Sequence, residues 1–552
     1  MKRASTLFLS ALTFSALPAL CQAPAGQSLT CSVRPPAPAS DASRAFNAGD
    51  FANAQTLYAA SIAAKPSVLD YEGLVHSQLE ANQLPEALAS ANAAIAALPA
   101  SAADMQALLG DVLLRSGKIP EASAAYTKAL GIDRCSARAH FGFARVNDLV
   151  GRHLTAQKEF NFAHRLALSD PAITAAFLVT IPAPQRLAPL RTLLASHPAL
   201  PPAQLQRLND EVAVLDQHLA CTPTAPITTE KLDLAQLYLT GRYVRSWGLK
   251  TRVNDTALQA LELDSTADGI VLSADDAAKA HVHPLTTAPT SPDATYKAVA
   301  DEIKIGNLTF KGCPVTVVPN KVVDAHNSLI GTIFFRDHLI HIDYVAMTLS
   351  LSPLPNPGTN ADAVADQFIA PSEKDWSPVY VAGPNVLLPT LINKNGPYLF
   401  AIDTGNLNSI LSPAVTQKEL TGSKDATLNL QGYSGEIVKV IPRDGGGAAV
   451  TAVTDIHGPT GALLRVSRPV KLPVLRFTNN EIPEDTAVSF DISPLSHAAG
   501  VEVSALLGFQ SLSYYSLDLN YRDCLARIQF DINRRYHVRA NEQGNEVRAL
   551  IQ

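Results

Sequence analysis

The sequence predicts a multidomain chain in two parts, an N-terminal all-α array of helical repeats and a C-terminal all-β region of two related lobes. Three observations predict it. An alanine-rich stretch repeats itself every 33 to 35 residues. The texture then changes, after about Leu237, to alternating Val, Ile, Leu and Thr broken by Gly, Pro and Asn, the pattern of strands and turns. Within that second half, two segments echo each other residue by residue. At 552 residues, with 47% hydrophobic and 17% charged content, the chain is long enough for about three domains with real cores.

Residues 1–25 read as an export signal. Lys2 and Arg3 precede an apolar run from Leu7 to Leu20, and Ala23-Pro24-Ala25 offers a small-residue cleavage site. Leu20, ahead of Cys21, is larger than lipoprotein processing favours, so the expectation is an exported protein, periplasmic or secreted. No later stretch approaches the 18 apolar residues of a spanning helix, so no integral membrane span is expected. A net charge of −6 without a basic cluster argues against nucleic acid as a partner. Cys31, Cys135, Cys221, Cys313 and Cys524 are scattered, with no Cys-x-x-Cys pair. That spacing argues against a metal or redox site and leaves any disulfide pairing open. His281 and His283 lack a third ligand nearby in sequence and read as loop histidines.

The repeats occupy residues 41–220. "GDFANAQTLYAASIAAKP", "NQLPEALASANAAIAALP", "GKIPEASAAYTKALGIDR" and "GRHLTAQKEFNFAHRLAL" align on Ala54, Ala87, Ala122 and Ala156, at steps of 33, 35 and 34. Tyr58, Ala91, Tyr126 and Phe160 follow four residues later, one turn on along the same helix face. Pro66 and Pro99 stand where a helix would end, and Gly110 and Gly142 supply small residues on the first helix of their repeats. The pattern resembles the tetratricopeptide repeat, which implies stacked helix pairs serving as a scaffold or binding surface. "PPAQLQRLNDEVAVLDQHLA" is expected to cap the stack.

The β-rich half contains a duplication, with lobes at 245–355 and 376–535. "ALQALELDSTADGIVLSADDAAKA" matches "GPYLFAIDTGNLNSILSPAVTQKE": a strand, an Asp, a hydroxyl residue, a turn, an apolar run, then a Ser leading into a helix. Asp264 aligns with Asp403, 139 residues apart. Downstream, "SLIGTIFFRDHLIHIDYVAMTLSLSP" matches "ALLGFQSLSYYSLDLNYRDCLARIQF", aligning Gly331 with Gly508 and Asp343-Tyr344 with Asn520-Tyr521.

Asp-Thr-Gly after a strand, with two apolar residues and a Gly downstream, resembles the retropepsin-like and pepsin-like aspartic proteases. The resemblance covers about Leu249 to Asp531. It implies two β-lobes meeting at an active site, with Asp264 and Asp403 as the catalytic carboxylates. By the same resemblance Ser265 and Thr404 support the two turns, and the Gly405 N–H bonds a carboxylate. It further implies an endopeptidase acting on extended polypeptide through an activated water, without metal or organic cofactor, and with the helical repeats recruiting substrate or a protein partner. The first lobe departs from the pattern: Thr266 stands where the family has Gly, so its N–H keeps the supporting donor to the carboxylate while its bulk is expected to press on Asp264. In the second lobe Asn406 follows Gly405 where Ala or Ser is usual. A catalytically inactive domain of the same fold, binding peptide beside the repeats, is the alternative. Flaps over the site are expected in "HVHPLTTAPTSPDATYKAV" and "LQGYSGEIVKVIPRDGGGAAV".

Overall fold

The structure, a computed structural model, describes residues 31–33 and 39–530, apart from 201, 241–242, 287–290, 292–293, 321–327, 357–365, 407–408, 420–455, 459–460, 464–469, 473–474, 478–479, 483–484, 490 and 514. The expected export signal and the expected second-lobe flap lie outside the described residues, as do six positions of the expected first-lobe flap.

The N-terminal part is helical from Asp41 to Asp216: α1 (Asp41–Asn47), α2 (Phe51–Ala64), α3 (Val68–Glu80), α4 (Leu84–Ala97), α5 (Ala102–Arg115), α6 (Ile119–Ile132), α7 (Ala137–Leu149), α8 (His153–Leu166), α9 (Pro171–Val179), α10 (Ala183–Ala195) and α11 (Pro202–Asp216). Local chemistry sets many of the boundaries. The side chains of Asp50, Ser67, Ser136 and Asp170 accept the first orphan N–H groups of α2, α3, α7 and α9. Pro85 and Pro120 sit in the first turns of α4 and α6, where no N–H is needed.

Ala54, Ala87, Ala122 and Ala156 are all buried on the second helix of their pairs. Tyr58, Tyr126 and Phe160 are buried one turn on and fill the space that the small residues leave. A Cβ added at Gly73 would fall 2.1 Å from the Tyr58 ring, and one at Gly142 would fall 2.1 Å from the Tyr126 ring. The stack is therefore held by rings seated over bare backbone. Buried charge adds to it: Arg138 donates to Glu72 at 3.1 Å and to Asp111 at 2.8 Å, and Tyr126 donates to the other Asp111 oxygen at 2.8 Å.

The C-terminal part is built of sheets. The strands that position the site are β1 (Glu230–Thr240), β2 (Tyr243–Leu249), β3 (Leu261–Leu263), β4 (Ile270–Ser273), β5 (Leu329–Ile330), β6 (His338–Asp343), β7 (Thr348–Pro353), β8 (Asn395–Ile402), β9 (Ser409–Leu411), β10 (Ala505–Leu507), β11 (Tyr515–Asn520) and β12 (Leu525–Phe530). β1 lies ahead of position 245, because the alternation begins in Leu232 and Leu234, both buried. One sheet runs β12-β11-β6-β7-β1-β2-β3-β5-β4 and so joins both lobes. Its seam is the antiparallel β6–β11 pair, with Ile340 opposite Leu519 and Ile342 opposite Leu517. A second sheet carries β9-β10-β8. Buried residues of both sheets form a shared core that includes Ile342, Phe400 and Leu517.

The repeats are not a free-standing half. Ile119, Tyr126 and Val146 share a buried cluster with Leu399, Ile410 and Leu506 of the second lobe. Arg115 pairs with Glu502 at 3.3 Å. The first N–H groups of α8, from Leu154 and Thr155, donate to the Asp366 carboxylate at 2.6 and 2.8 Å. Gly151, at φ 79°, lets the chain pass so close that a Cβ would meet the Asp523 carbonyl carbon at 3.0 Å. Two disulfides, Cys31–Cys135 and Cys221–Cys313, tie the segment before α1 and the link after α11 into this frame. Among the described residues, no single helix is long and apolar enough to cross a membrane.

The rings over glycine generate a paired prediction. Gly142→Ala drives a methyl into Tyr126 and should destabilise by about 1–3 kcal/mol. Gly131→Ala, where nothing lies within 4 Å, should stabilise by about 0.5–1 kcal/mol. Thermal unfolding of the two variants should move in opposite directions.

Candidate functional site at the meeting of the lobes

Each lobe delivers one aspartate in the same way. β3 ends just before Asp264 and β8 just before Asp403. β5 pairs parallel with β3 and antiparallel with β4; β10 pairs parallel with β8 and antiparallel with β9. The aspartate N–H groups donate to equivalent carbonyls, Asp264 to Ile330 and Asp403 to Leu507, both at 3.0 Å. Gly331 is required where β5 leaves the sheet, since a Cβ there would lie 2.1 Å from the Ala267 carbonyl oxygen.

Four hydrogen bonds cross between the lobes at the residues after the aspartates. The Ser265 hydroxyl donates to the Ile402 carbonyl at 2.6 Å, and the Thr404 hydroxyl donates to the Leu263 carbonyl at 2.7 Å. In return the Ser265 N–H donates to Thr404 Oγ1 at 3.0 Å, and the Thr404 N–H donates to Ser265 Oγ at 3.1 Å. Each hydroxyl is thus donor to one strand of the opposite lobe and acceptor from the opposite turn.

This exchange sets the aspartates against each other. Gly405 donates its N–H to Asp403 Oδ1 at 3.1 Å, and a Cβ on that same residue would lie 2.9 Å from Asp264 Cγ. One glycine therefore touches both carboxyl groups, and both aspartates are buried. Asn406 adds two donors to Asp403, its N–H to Oδ1 at 2.9 Å and its side-chain amide to Oδ2. In the first lobe the Thr266 N–H donates to Asp264 Oδ1 at 2.8 Å and the Thr266 hydroxyl donates to the same oxygen at 2.7 Å. The bulk of Thr266 is accommodated by turning its hydroxyl back onto the neighbouring carboxyl.

Two buried tyrosines feel the charge of the aspartates. Burial, and after it the charge of Asp403, pushes the Tyr344 hydroxyl far above the ordinary phenol range. Burial also raises Tyr521; the Thr332 hydroxyl, at 2.6 Å, works against this and the charge of Asp264 adds to it. Each tyrosine therefore lies near the aspartate of the opposite lobe, across the β6–β11 seam. The sequence echo aligns these two positions but gives no sign that they cross. The side-chain amide of Asn406 is equally hidden in sequence, although its departure from Ala or Ser marks the position. Among the described residues no cluster of His, Cys, Asp or Glu is arranged to hold a metal ion.

Solved structures similar to this chain include several that match its helical region. No protein-family model matches the sequence, and a search of curated proteins returns no match. Among solved structures, the helical region is similar to a thermophilic TPR protein of Thermus thermophilus, at 18% identity over 32% of this chain and 95% of that one, with a TM-score of 0.26. It is also similar to a tetratricopeptide repeat protein from Parabacteroides merdae, at 16% identity over 32% of this chain and 70% of that one, with a TM-score of 0.24. Pseudomonas aeruginosa pilF is similar at 16% identity, over 32% of this chain and 86% of that one, with a TM-score of 0.23. The N-terminal part is an array of paired helices, and the C-terminal part is sheet-rich.

The contact at Gly405 yields a direct test of the site's packing. Gly405→Ala should push Asp264 and the second-lobe turn apart and cost about 1–3 kcal/mol in unfolding free energy, measured by denaturant titration.

Proposed function

We propose that the chain is an exported aspartic-type endopeptidase whose two-lobed β region cleaves extended polypeptide with Asp264 and Asp403. The observation that carries this reading is the hydroxyl exchange between Ser265 and Thr404, which draws together the two turns that bear the buried aspartates. Two like charges about 4 Å apart repel by roughly 4 kcal/mol at an effective dielectric of about 20, so such a pair keeps one proton. That combination of a base and an acid at one point is what amide hydrolysis needs.

The chemistry follows from that proton count. A water between the carboxyl groups gives a proton to the charged aspartate as its oxygen bonds to the scissile carbonyl carbon. The protonated aspartate passes its proton to the carbonyl oxygen, giving a neutral gem-diol. The C–N bond then breaks: the amine leaves with the proton first taken from water, and a diol hydroxyl returns a proton to the aspartate that had lost one. No covalent intermediate forms. Gly405, Asn406 and Thr266 orient the carboxyl groups, while Ser265 and Thr404 hold the turns.

The repeats suit the recruitment of substrate or a protein partner, since stacked helix pairs offer an extended surface. Export is supported by the disulfides Cys31–Cys135 and Cys221–Cys313, because such bonds persist in oxidising compartments. The second reading, a peptide-binding domain without turnover, draws on Thr266, whose side chain occupies a place that needs none in the second lobe.

Purified protein should cleave an unfolded protein between acid and neutral pH. Asp264→Asn and Asp403→Asn should each lower the rate by about a hundred- to ten-thousand-fold. Cleavage that survives either substitution contradicts the peptidase reading. Binding of a peptide mimic of the tetrahedral intermediate, without turnover by the unaltered protein, supports the second.

A further inference from the structure

We infer that Asn406 assigns the two roles within the pair, making Asp403 the charged, water-activating member and Asp264 the member that holds the proton. The inference rests on the aspartic-type reading above and goes beyond it, because a symmetric pair leaves the roles open.

The lobes differ at this position. Residue 406 is the third after its aspartate, and the equivalent residue of the first lobe is Ala267, which has no side-chain donor. Asn406 presents both its backbone N–H and its side-chain amide to the same carboxyl group, one to each oxygen. With the Gly405 N–H, three donors converge on Asp403. Donors aimed at a carboxylate favour its charged form, and those in a dry site do so most strongly. Asn406 is only 2% exposed, so bulk solvent does not compete for its amide.

Asn406 is held at its backbone and at its side-chain nitrogen. The Asn406 carbonyl accepts the Phe509 N–H at 2.7 Å, which pins the residue to the start of the helical turn after Gly508. Its side-chain oxygen has no partner among the described residues, so the carboxylate alone decides which way the amide faces. An acceptor turned toward a carboxylate would be repelled, which fixes the NH2 group on Asp403.

Thr266 acts on the other member. Its hydroxyl and N–H both meet Asp264 Oδ1. These donors assist Asp264 when it loses its proton, which is the second ionisation of the pair. Asn406 and Thr266 should therefore control different limbs of the pH profile. The first ionisation creates the working monoanion, and the second destroys it.

Removing a donor to a charged carboxylate raises its pKa, so the sign of each shift is fixed. In Asn406→Ala the acid limb of kcat/KM should move up by about 1 pH unit while the basic limb stays in place. Asn406→Ser keeps a hydroxyl donor and should restore most of the original limb. In Thr266→Val, which keeps the shape and loses the hydroxyl, the basic limb should move up instead. Infrared difference titration of 13C-aspartate-labelled protein reads the same two ionisations without requiring turnover. If that titration shows the two shifts while the unaltered protein cuts nothing, the peptidase reading fails and the assignment of roles stands. If Asn406→Ala moves the second ionisation, or neither, the assignment is overturned whatever the activity.

Discussion

Two buried carboxyl groups gathered at one turn-to-turn contact make an expensive arrangement, and in this protein the exchange of hydroxyls between Ser265 and Thr404 holds the turns together. Each hydroxyl is fully used, donating across to a strand and accepting from the opposite turn. Neither lobe can satisfy these groups alone, because the acceptors and donors belong to its partner. An unmet buried hydroxyl or N–H costs about 1–3 kcal/mol, so separation of the lobes is penalised at each of these bonds at once. The β6–β11 seam beneath supplies the breadth, and the hydroxyls supply the register that sets one aspartate against the other.

The helical repeats extend this frame. Their buried cluster continues into Leu399, Ile410 and Leu506, which lie on β8, β9 and β10 around the strand that leads to Asp403. Arg115 and the N-terminus of α8 add directional contacts, to Glu502 and Asp366. The array is thus part of the second lobe's support as well as a surface in its own right. A partner that bends the stack would act on packing only a few residues from the site.

Much of this is legible in the sequence, and the reasons are physical. Ala54, Ala87, Ala122 and Ala156 announce the stack because close helix approach tolerates little else, and the rings that follow must fill the gaps. The duplicated Asp-hydroxyl signature and the paired Gly331 and Gly508 expose the two lobes in sequence. Other features have no periodic signal. Docking of α5 to α8 on the second lobe depends on scattered residues such as Arg115, Gly151 and Asp366, each ordinary in isolation. Disulfide pairing is likewise closed to spacing arguments, as Cys31 and Cys135 lie 104 residues apart and are neighbours only in the folded stack. Thr266 reads as an obstruction because its size is visible in sequence and its rotamer is not; in the structure its hydroxyl turns back to Asp264.

A double-mutant cycle on the unfolding free energy, using Ser265→Ala and Thr404→Val, measures whether the two hydroxyls act together. If the two hydroxyls form one cross-lobe unit, the costs will be non-additive, with a coupling of about 1 kcal/mol or more. Costs that add to within about 0.5 kcal/mol would show two independent side chains that do not join the lobes at the aspartates.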